Sequence, residues 1–191
     1  MNLFPNRQQR EEQDLLAKAV SGDRFASQEI IRSLSPSAYS LAWKMVGRKE
    51  DAEDVVQEAF IRLWKSSGSF SGKASLRTYF YAIVSNLCLD RLRANSKGAF
   101  EEFNEFEHAS GASVDLGVEC QWDVAEIQLA IETLSAKQRM AILMWVYQDL
   151  TAAEIAKAMG MNKNSVDQLL FRAKMKLKVE LEKKGGIREL K

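Results

Sequence analysis

Residues 149–177 constrain the fold most, because they contain the start and stop signals of two short helices joined by a tight turn. Thr151 and Glu154 have the T-x-x-E spacing of a capping box, in which hydroxyl and carboxylate each bond an unpaired backbone N–H at a helix start. This spacing predicts a helix that begins at Ala152. Gly160 supplies the positive φ at which such a helix ends, and Asn162 can cap the next one. Together these signals predict a helix-turn-helix.

The second of these helices is predicted to have one buried face and one polar face. Apolar residues recur along it with a helical period: Val166, Leu169, Leu170, Ala173 and Leu177. The other side carries Asn164, Asp167, Gln168 and an exposed Phe171, within a basic stretch. Such a helix places side chains at base edges in the major groove of DNA. DNA binding is therefore favoured over an αα-hairpin that only packs.

The rest of the chain also has helical periods, which indicates an all-α protein. Helices are predicted over Gln8–Val20, Phe25–Leu34, Ser37–Val46, Glu50–Trp64, Leu76–Arg93 and Trp122–Leu134, and a further helix follows Ser135 as its cap. Pro36 is expected to open the third of these helices, because proline is tolerated near a helix start.

The formal net charge of +1 conceals an uneven distribution. Residues 99–136 contain nine acidic residues and no lysine or arginine, whereas the segments on either side are net basic. Basic modules at both ends suggest contact with a polyanion. Residues 98–121 also contain three glycines and have no sustained helical period. They are predicted to be a flexible acidic linker between two small helical domains.

The sequence points away from membrane insertion and from metal or thiol chemistry. The longest apolar run, Met140–Tyr147, is far shorter than the ~20 residues of a membrane span, and the start lacks the apolar core of a signal peptide. A cytoplasmic protein is expected. Cys88 and Cys120 have no neighbouring cysteine, and His108 is the only histidine, so no metal site or cofactor is expected. Cys88 is predicted to be a small buried hydrophobe.

The predicted helix Glu50–Trp64 has an acidic face that includes Asp54, Gln57, Glu58 and Ile61. Three of its acids lie in the first turn, where the helix dipole favours them, and no histidine accompanies them. A metal or acid–base site is therefore rejected. An acidic stripe that contains an isoleucine is more typical of a partner-binding face than of a solvated surface.

The loop Ser66–Ser75 has Phe70 at its centre and leads into the helix Leu76–Arg93. Three aromatic residues, 79–81, follow one another there and span about 200° of the helix, which is more than one buried face covers. At least one tyrosine is therefore expected to face away from the core, beside the arginines of this helix. Aromatic and arginine side chains together are typical of single-strand binding. Tyrosines at a half-buried rim are the alternative.

Three stretches resemble, in order and spacing, blocks of bacterial RNA polymerase sigma factors: DAEDVVQEAFIRLW (51–64), FSGKASLRTYFYAIVSNLCLDRLR (70–93) and residues 134–177. The chain is similar to the compact extracytoplasmic-function (ECF) group. The resemblance implies sigma region 2 over residues 1–97, the acidic linker over 98–121, and sigma region 4 over 122–191.

The resemblance also implies a role for each surface, without catalysis, cofactor or nucleotide hydrolysis. Core RNA polymerase would be bound by Asp54, Gln57, Glu58 and Ile61. The non-template strand of the minus-10 element would be captured, with a base out of the stack, by Phe70, Lys73, Arg77, Tyr79, Tyr81 and Arg91. The minus-35 duplex would be read by Lys163, Asn164, Asp167, Gln168, Phe171 and Arg172. An anti-sigma factor is expected as a further partner.

Departures from the family pattern occur at Asp167, Leu169 and Ala82, where basic residues are frequent. Asp167 can accept from a cytosine amino group and Gln168 can pair with adenine, so the minus-35 preference is expected to differ. Three alternatives stay open: a free-standing helix-turn-helix regulator with a helical sensor domain, a metal-dependent nuclease using the acids of residues 50–58, and a helical adaptor.

Overall fold

The computed structural model describes residues 7–95 and 124–185. Within these ranges the chain forms eight α-helices, a short 3-10 turn at Ser67–Ser69 and no strand, which confirms the all-α class. The helices are α1 (Arg7–Val20), α2 (Arg24–Val46), α3 (Lys49–Lys65), α4 (Leu76–Asn95), α5 (Val124–Glu132), α6 (Ala136–Gln148), α7 (Ala152–Met159) and α8 (Lys163–Gly185). No described helix is both long and apolar enough to cross a membrane. The predicted linker lies outside the described residues.

Helix α2 is one continuous helix, so the prediction of two helices separated near Pro36 is wrong. Asp23 caps its start, where one carboxylate oxygen accepts from the backbone N–H of Phe25 at 2.8 Å. Pro36 lies in the helix interior, where it lacks an N–H to donate. Leu34 and Ala38, on either side of Pro36, are both buried in the same core. Packing of the two halves therefore holds the helix together through the proline.

Helix α4 is the centre of the molecule, because helices from both ends of the chain pack on it. Helices α2 and α3 lie against one side, and α6 and α7 lie against another. The rings of Phe60 and Phe80 are 4.6 Å apart between centroids in the core shared by α3 and α4. Phe80 and Tyr81 are both fully buried, because α4 has two buried faces. The expectation that one buried face would leave a tyrosine free is therefore wrong for Tyr81.

The C-terminal domain, α5–α8, has the helix ends that the sequence predicts. Capping boxes begin α6 at Ser135 and α7 at Thr151. Gly160 ends α7 with φ of 63°, and the Asn162 side chain accepts from the N–H of Ser165 at 2.7 Å at the start of α8. These short-range bonds set the turn between α7 and α8. The N-terminal domain, α1–α4, and this domain bury their apolar residues in one continuous cluster.

Candidate nucleic-acid and protein interfaces

The face of α3 that was predicted to bind a partner lies at the surface. Asp54 and Gln57 are exposed, and Ile61 keeps 39% of its surface open to solvent. Glu58 is half-buried and pairs with Arg62 at 2.8 Å. The four residues therefore lie along one acidic face of α3, with the apolar Ile61 at its C-terminal end, and we call them the α3 face.

Arg91 ties the α3 face to α4. Its guanidinium lies 2.6 Å from a carboxylate oxygen of Asp51 and 2.8 Å from one of Asp54. These hydrogen bonds hold the pKa of Asp51 below its ordinary value. Arg91 is expected beside single-stranded DNA, but here it is paired with two carboxylates of α3, those of Asp51 and Asp54. Sequence reasoning missed Asp51 as its partner, because the two residues lie on different helices.

The loop before α4 holds its aromatic side chain inward. Phe70 is 8% exposed, and its ring is 5.3 Å between centroids from that of Tyr79. The Tyr79 hydroxyl donates to Ser66 Oγ at 3.0 Å, so the loop folds over this tyrosine. Contrary to the expected stacking role, the Phe70 ring is not available to a base in this conformation. Lys73, in the same loop, is exposed.

The start of α4 is capped from a distant helix. Glu12 of α1 accepts from the backbone N–H of Leu76 through a carboxylate oxygen, at 2.7 Å. A carboxylate at a helix N-terminus satisfies a free donor and opposes the positive end of the helix dipole. Glu12 therefore positions the helix that carries Arg77 and Tyr81. No sequence signal links Glu12 to this role, since it acts across 64 residues.

Gln148, at the end of α6, binds two of the predicted minus-10 residues. Arg77 Nη2 donates to its side-chain oxygen at 3.2 Å and to its backbone oxygen at 3.0 Å. The Tyr81 hydroxyl donates to the same side-chain oxygen. Gln148 Nε2 in turn donates to the carbonyl of Ser37 at 3.3 Å. Tyr81 and Gln148 are 1% and 2% exposed, so the C-terminal domain covers this part of α4.

The predicted duplex-reading face of α8 is partly open. Lys163, Asn164 and Asp167 are exposed, whereas Gln168 is half-buried. Lys163 Nζ lies 2.7 Å from an Asp167 carboxylate oxygen, which offsets the charge that would repel a phosphate. The remaining two predicted residues are half-buried: Phe171 and Arg172. Phe171 was expected to be fully outward, and its partial burial is a correction.

The comparisons with known proteins agree with this arrangement. Residues 30–98 match the family model described as Sigma-70 region 2, and residues 125–177 match Sigma-70, region 4. The ECF RNA polymerase sigma factor SigM of Mycobacterium tuberculosis is 29% identical over 177 residues, which cover 91% of this chain and 86% of the relative.

Two solved structures have a similar fold. The first is CnrH in complex with the cytosolic domain of CnrY, with a TM-score of 0.66, 18% identity, and coverage of 90% of this chain and 97% of that one. The second is the sigma factor RpoE of Bartonella quintana in complex with the anti-sigma factor NepR, with a TM-score of 0.60, 22% identity, and coverage of 81% and 96%. At these identities the structures support the fold. The two region matches and the ECF relative show that the chain belongs to the ECF group of RNA polymerase sigma factors, a family of non-enzymatic transcription-initiation factors.

Proposed function

We propose that this sigma factor binds core RNA polymerase through the α3 face, reads the minus-35 duplex with α8, and holds the melted minus-10 non-template strand on α4 and its preceding loop. The observation that carries the proposal is the α8 surface: a polar helix face follows a capped, glycine-ended turn inside the segment that matches sigma region 4. Helix-turn-helix proteins present such a face to base edges in the major groove.

The charges of the described residues support separate roles for the two DNA sites. Lys73 lies in the loop before α4, and Arg77 lies in the first turn of α4, shortly before Tyr79 and Tyr81. Together these side chains can pair phosphates and stack bases. The exposed face of α8 offers Asn164 and Asp167, which can bond base edges. One site therefore suits an unpaired strand and the other suits a duplex.

Simultaneous use of both sites requires the two domains to separate. Elements about 25 base pairs apart lie about 85 Å apart on B-form DNA, at ~3.4 Å per base pair. Domains of this size have radii of gyration of only about 13 Å, so domains in contact do not reach both elements. Residues 96–123 could span at most about 95 Å when fully extended, which is sufficient. We infer that core polymerase holds the chain open.

An anti-sigma factor is part of this proposal, because one of the similar solved structures is a sigma factor bound to an anti-sigma factor and the other is also a complex with a second protein. The rival nuclease has less support. Asp51 and Asp54 both pair with Arg91, and a positive charge between two carboxylates opposes binding of a metal cation there.

Run-off transcription with reconstituted core polymerase on a library of promoter fragments tests the proposal. Specific transcripts that require both core enzyme and this chain are expected. Protection of duplex promoter DNA by the purified chain alone would instead favour a free-standing regulator, and magnesium-dependent cleavage would favour a nuclease.

The α3 face is tested with a matched pair of variants. Ile61→Arg replaces the apolar side chain of the face by a charged one and is expected to weaken core binding by at least about tenfold, because a desolvated apolar contact is lost. Ile31→Arg changes an isoleucine of similar exposure, 42% against 39%, on α2 and should leave core binding unchanged. Equal core affinity for both variants would argue against the α3 face as the polymerase contact.

A further inference from the structure

Gln148 is a buried polar residue whose side chain is satisfied by the other domain. Its amide makes three hydrogen bonds, to Arg77, Tyr81 and Ser37, and all three partners belong to the N-terminal domain. Met144 and Met140, one and two turns earlier on α6, are fully buried on the same side of the helix. A buried amide is costly unless it is bonded, so the closed arrangement of the domains satisfies Gln148.

The side-chain oxygen of Gln148 occupies a position that suits a nucleobase. The Arg77 guanidinium and the Tyr81 hydroxyl both donate to this one carbonyl oxygen. The guanidinium carbon also lies 5.6 Å from the centre of the Tyr81 ring, so cation and aromatic face are side by side. Guanine and thymine present carbonyl oxygens of the same kind on their edges. An amide and a base carbonyl would therefore compete for the same two donors.

A second hydrogen bond joins the two domains near Gln148. Lys157 of α7 donates through Nζ to the backbone carbonyl of Lys73, at 3.1 Å. Lys73 and Arg77 both belong to the predicted minus-10 set, so helices α6 and α7 both contact residues proposed to hold the melted strand. The contacts come from the C-terminal domain of the same chain.

We infer that Gln148 is an internal competitor of single-stranded DNA: in the free sigma factor it holds the domains closed, buries Tyr81 and engages the exposed guanidinium of Arg77, and an unstacked base binds there only after Gln148 leaves. This inference rests on the proposed function, since it assigns regulation to the proposed minus-10 site. It explains why Tyr81, a residue suited to strand capture, is buried in the free chain. Separation of the domains on polymerase would remove the amide and free the site.

Gln148→Ala in the full chain tests the inference, with Gln138→Ala as the matched control. Gln138 is a second buried glutamine of α6, but it serves the capping box with Ser135 inside the C-terminal domain. The first measurement is nitration of Tyr81 by tetranitromethane, located by mass spectrometry, with the half-buried Tyr79 as internal reference. Nitration of Tyr81 is expected to rise about tenfold in Gln148→Ala and to stay at the wild-type level in Gln138→Ala.

The second measurement is binding of fluorescein-labelled oligo(dT) to the free chain, without polymerase. Gln148→Ala should bind about tenfold more tightly than wild type, equivalent to about 1.4 kcal/mol. Oligo(dA), whose base has no carbonyl, should gain less. Unchanged nitration and unchanged oligo(dT) affinity in Gln148→Ala would overturn the inference, and so would equal increases in both variants, which would reflect general loosening of the C-terminal domain.

The competitor role of Gln148 and the proposed function can fail independently of each other. If Gln148→Ala exposes Tyr81 but the chain supports no transcription with core polymerase, the closed contact stands and the proposed function fails. If transcription occurs but Tyr81 stays protected in Gln148→Ala, the proposed function stands and the competitor role of Gln148 fails.

Discussion

Gly160→Ala should measure how much the helix-turn-helix depends on one left-handed residue. Gly160 has φ of 63° and ψ of 31°, and a Cβ built there meets no atom within 4 Å. A steric clash with neighbours is therefore absent, and the cost is that of placing an L side chain in the left-handed region. That cost is roughly 1–2 kcal/mol. The free energy of unfolding is expected to fall by this amount.

Gly68→Ala is the matched control for this substitution. A Cβ at Gly68 also meets nothing within 4 Å, but Gly68 does not have a left-handed φ. Alanine there should leave the free energy of unfolding unchanged or raise it by about 0.4–1 kcal/mol, because it restricts the unfolded chain. Gly160→Asn should lose less than Gly160→Ala, since asparagine adopts the left-handed region more readily.

Urea denaturation followed by far-ultraviolet circular dichroism gives the free energies, and thermal unfolding gives a second estimate. A loss of 1–2 kcal/mol corresponds to a fall in Tm of about 2–8 °C for a protein of this size. If Gly160→Ala and Gly68→Ala unfold with the same free energy, the conformational argument for the turn is refuted. Loss of minus-35 binding without loss of stability would instead place Gly160 in the DNA contact itself.

Two further predictions concern titratable groups. Burial raises the pKa of the Cys88 thiol to about 12, so in a Cys120→Ser background Cys88 should resist alkylation at about pH 8 until urea unfolds the chain. The raised pKa stabilises the folded protein below the unfolded-state pKa of about 8.5, and this stabilisation is lost as the pH rises towards 12. In urea denaturation at a series of pH values, the free energy of unfolding of Cys88→Ala should therefore fall less steeply above about pH 8.5. Asp51 gives the opposite pH dependence of stability: its lowered pKa stabilises the folded protein above about pH 3.9, and this stabilisation is lost as the pH falls through the folded-state pKa. Arg91→Met should therefore flatten the acid limb of a Tm-against-pH curve, and an unchanged limb would contradict the assigned pairing.

The ends of the C-terminal helices could be predicted from the sequence because their bonds are local. The capping boxes at Ser135 and Thr151 and the Asn162 cap each join residues three positions apart. Gly160 acts through its own φ. Tertiary packing leaves such interactions intact, so the spacing alone is informative.

Two other features depend on contacts that the pattern of a single helix does not contain. The apolar period is similar on both sides of Pro36, and only the shared core shows that α2 continues through it. Tyr81 is buried because a second domain packs on α4, whereas a periodicity argument assumes one buried face. Both errors arise from long-range packing, which overrides local preference.

The candidate site was predictable to a similar extent. Exposure of the α3 face followed from helical period, but pairing of Arg91 with Asp51 joins residues 40 positions apart. The position of Gln148 could have been noticed in the sequence, because the helical period of Met140 and Met144 predicts a buried side chain there and the residue is polar. That signal indicates that a partner exists for the amide. It does not indicate that the partners lie on α2 and α4.

The connection between α6 and α7 is short and tightly constrained, so Gln148 at the end of α6 is closely linked to the helix-turn-helix. Asp149 has φ of 51° and is the one non-glycine residue with positive φ in the described part of the chain. Leu150 is buried and Thr151 already caps α7, so the connection has no slack. Helices α6, α7 and α8 pack on one another. In the proposed mechanism, a rotation that places α8 in a DNA groove would therefore also move Gln148 relative to α4, so binding of the duplex and exposure of Tyr81 would be coupled through this short connection.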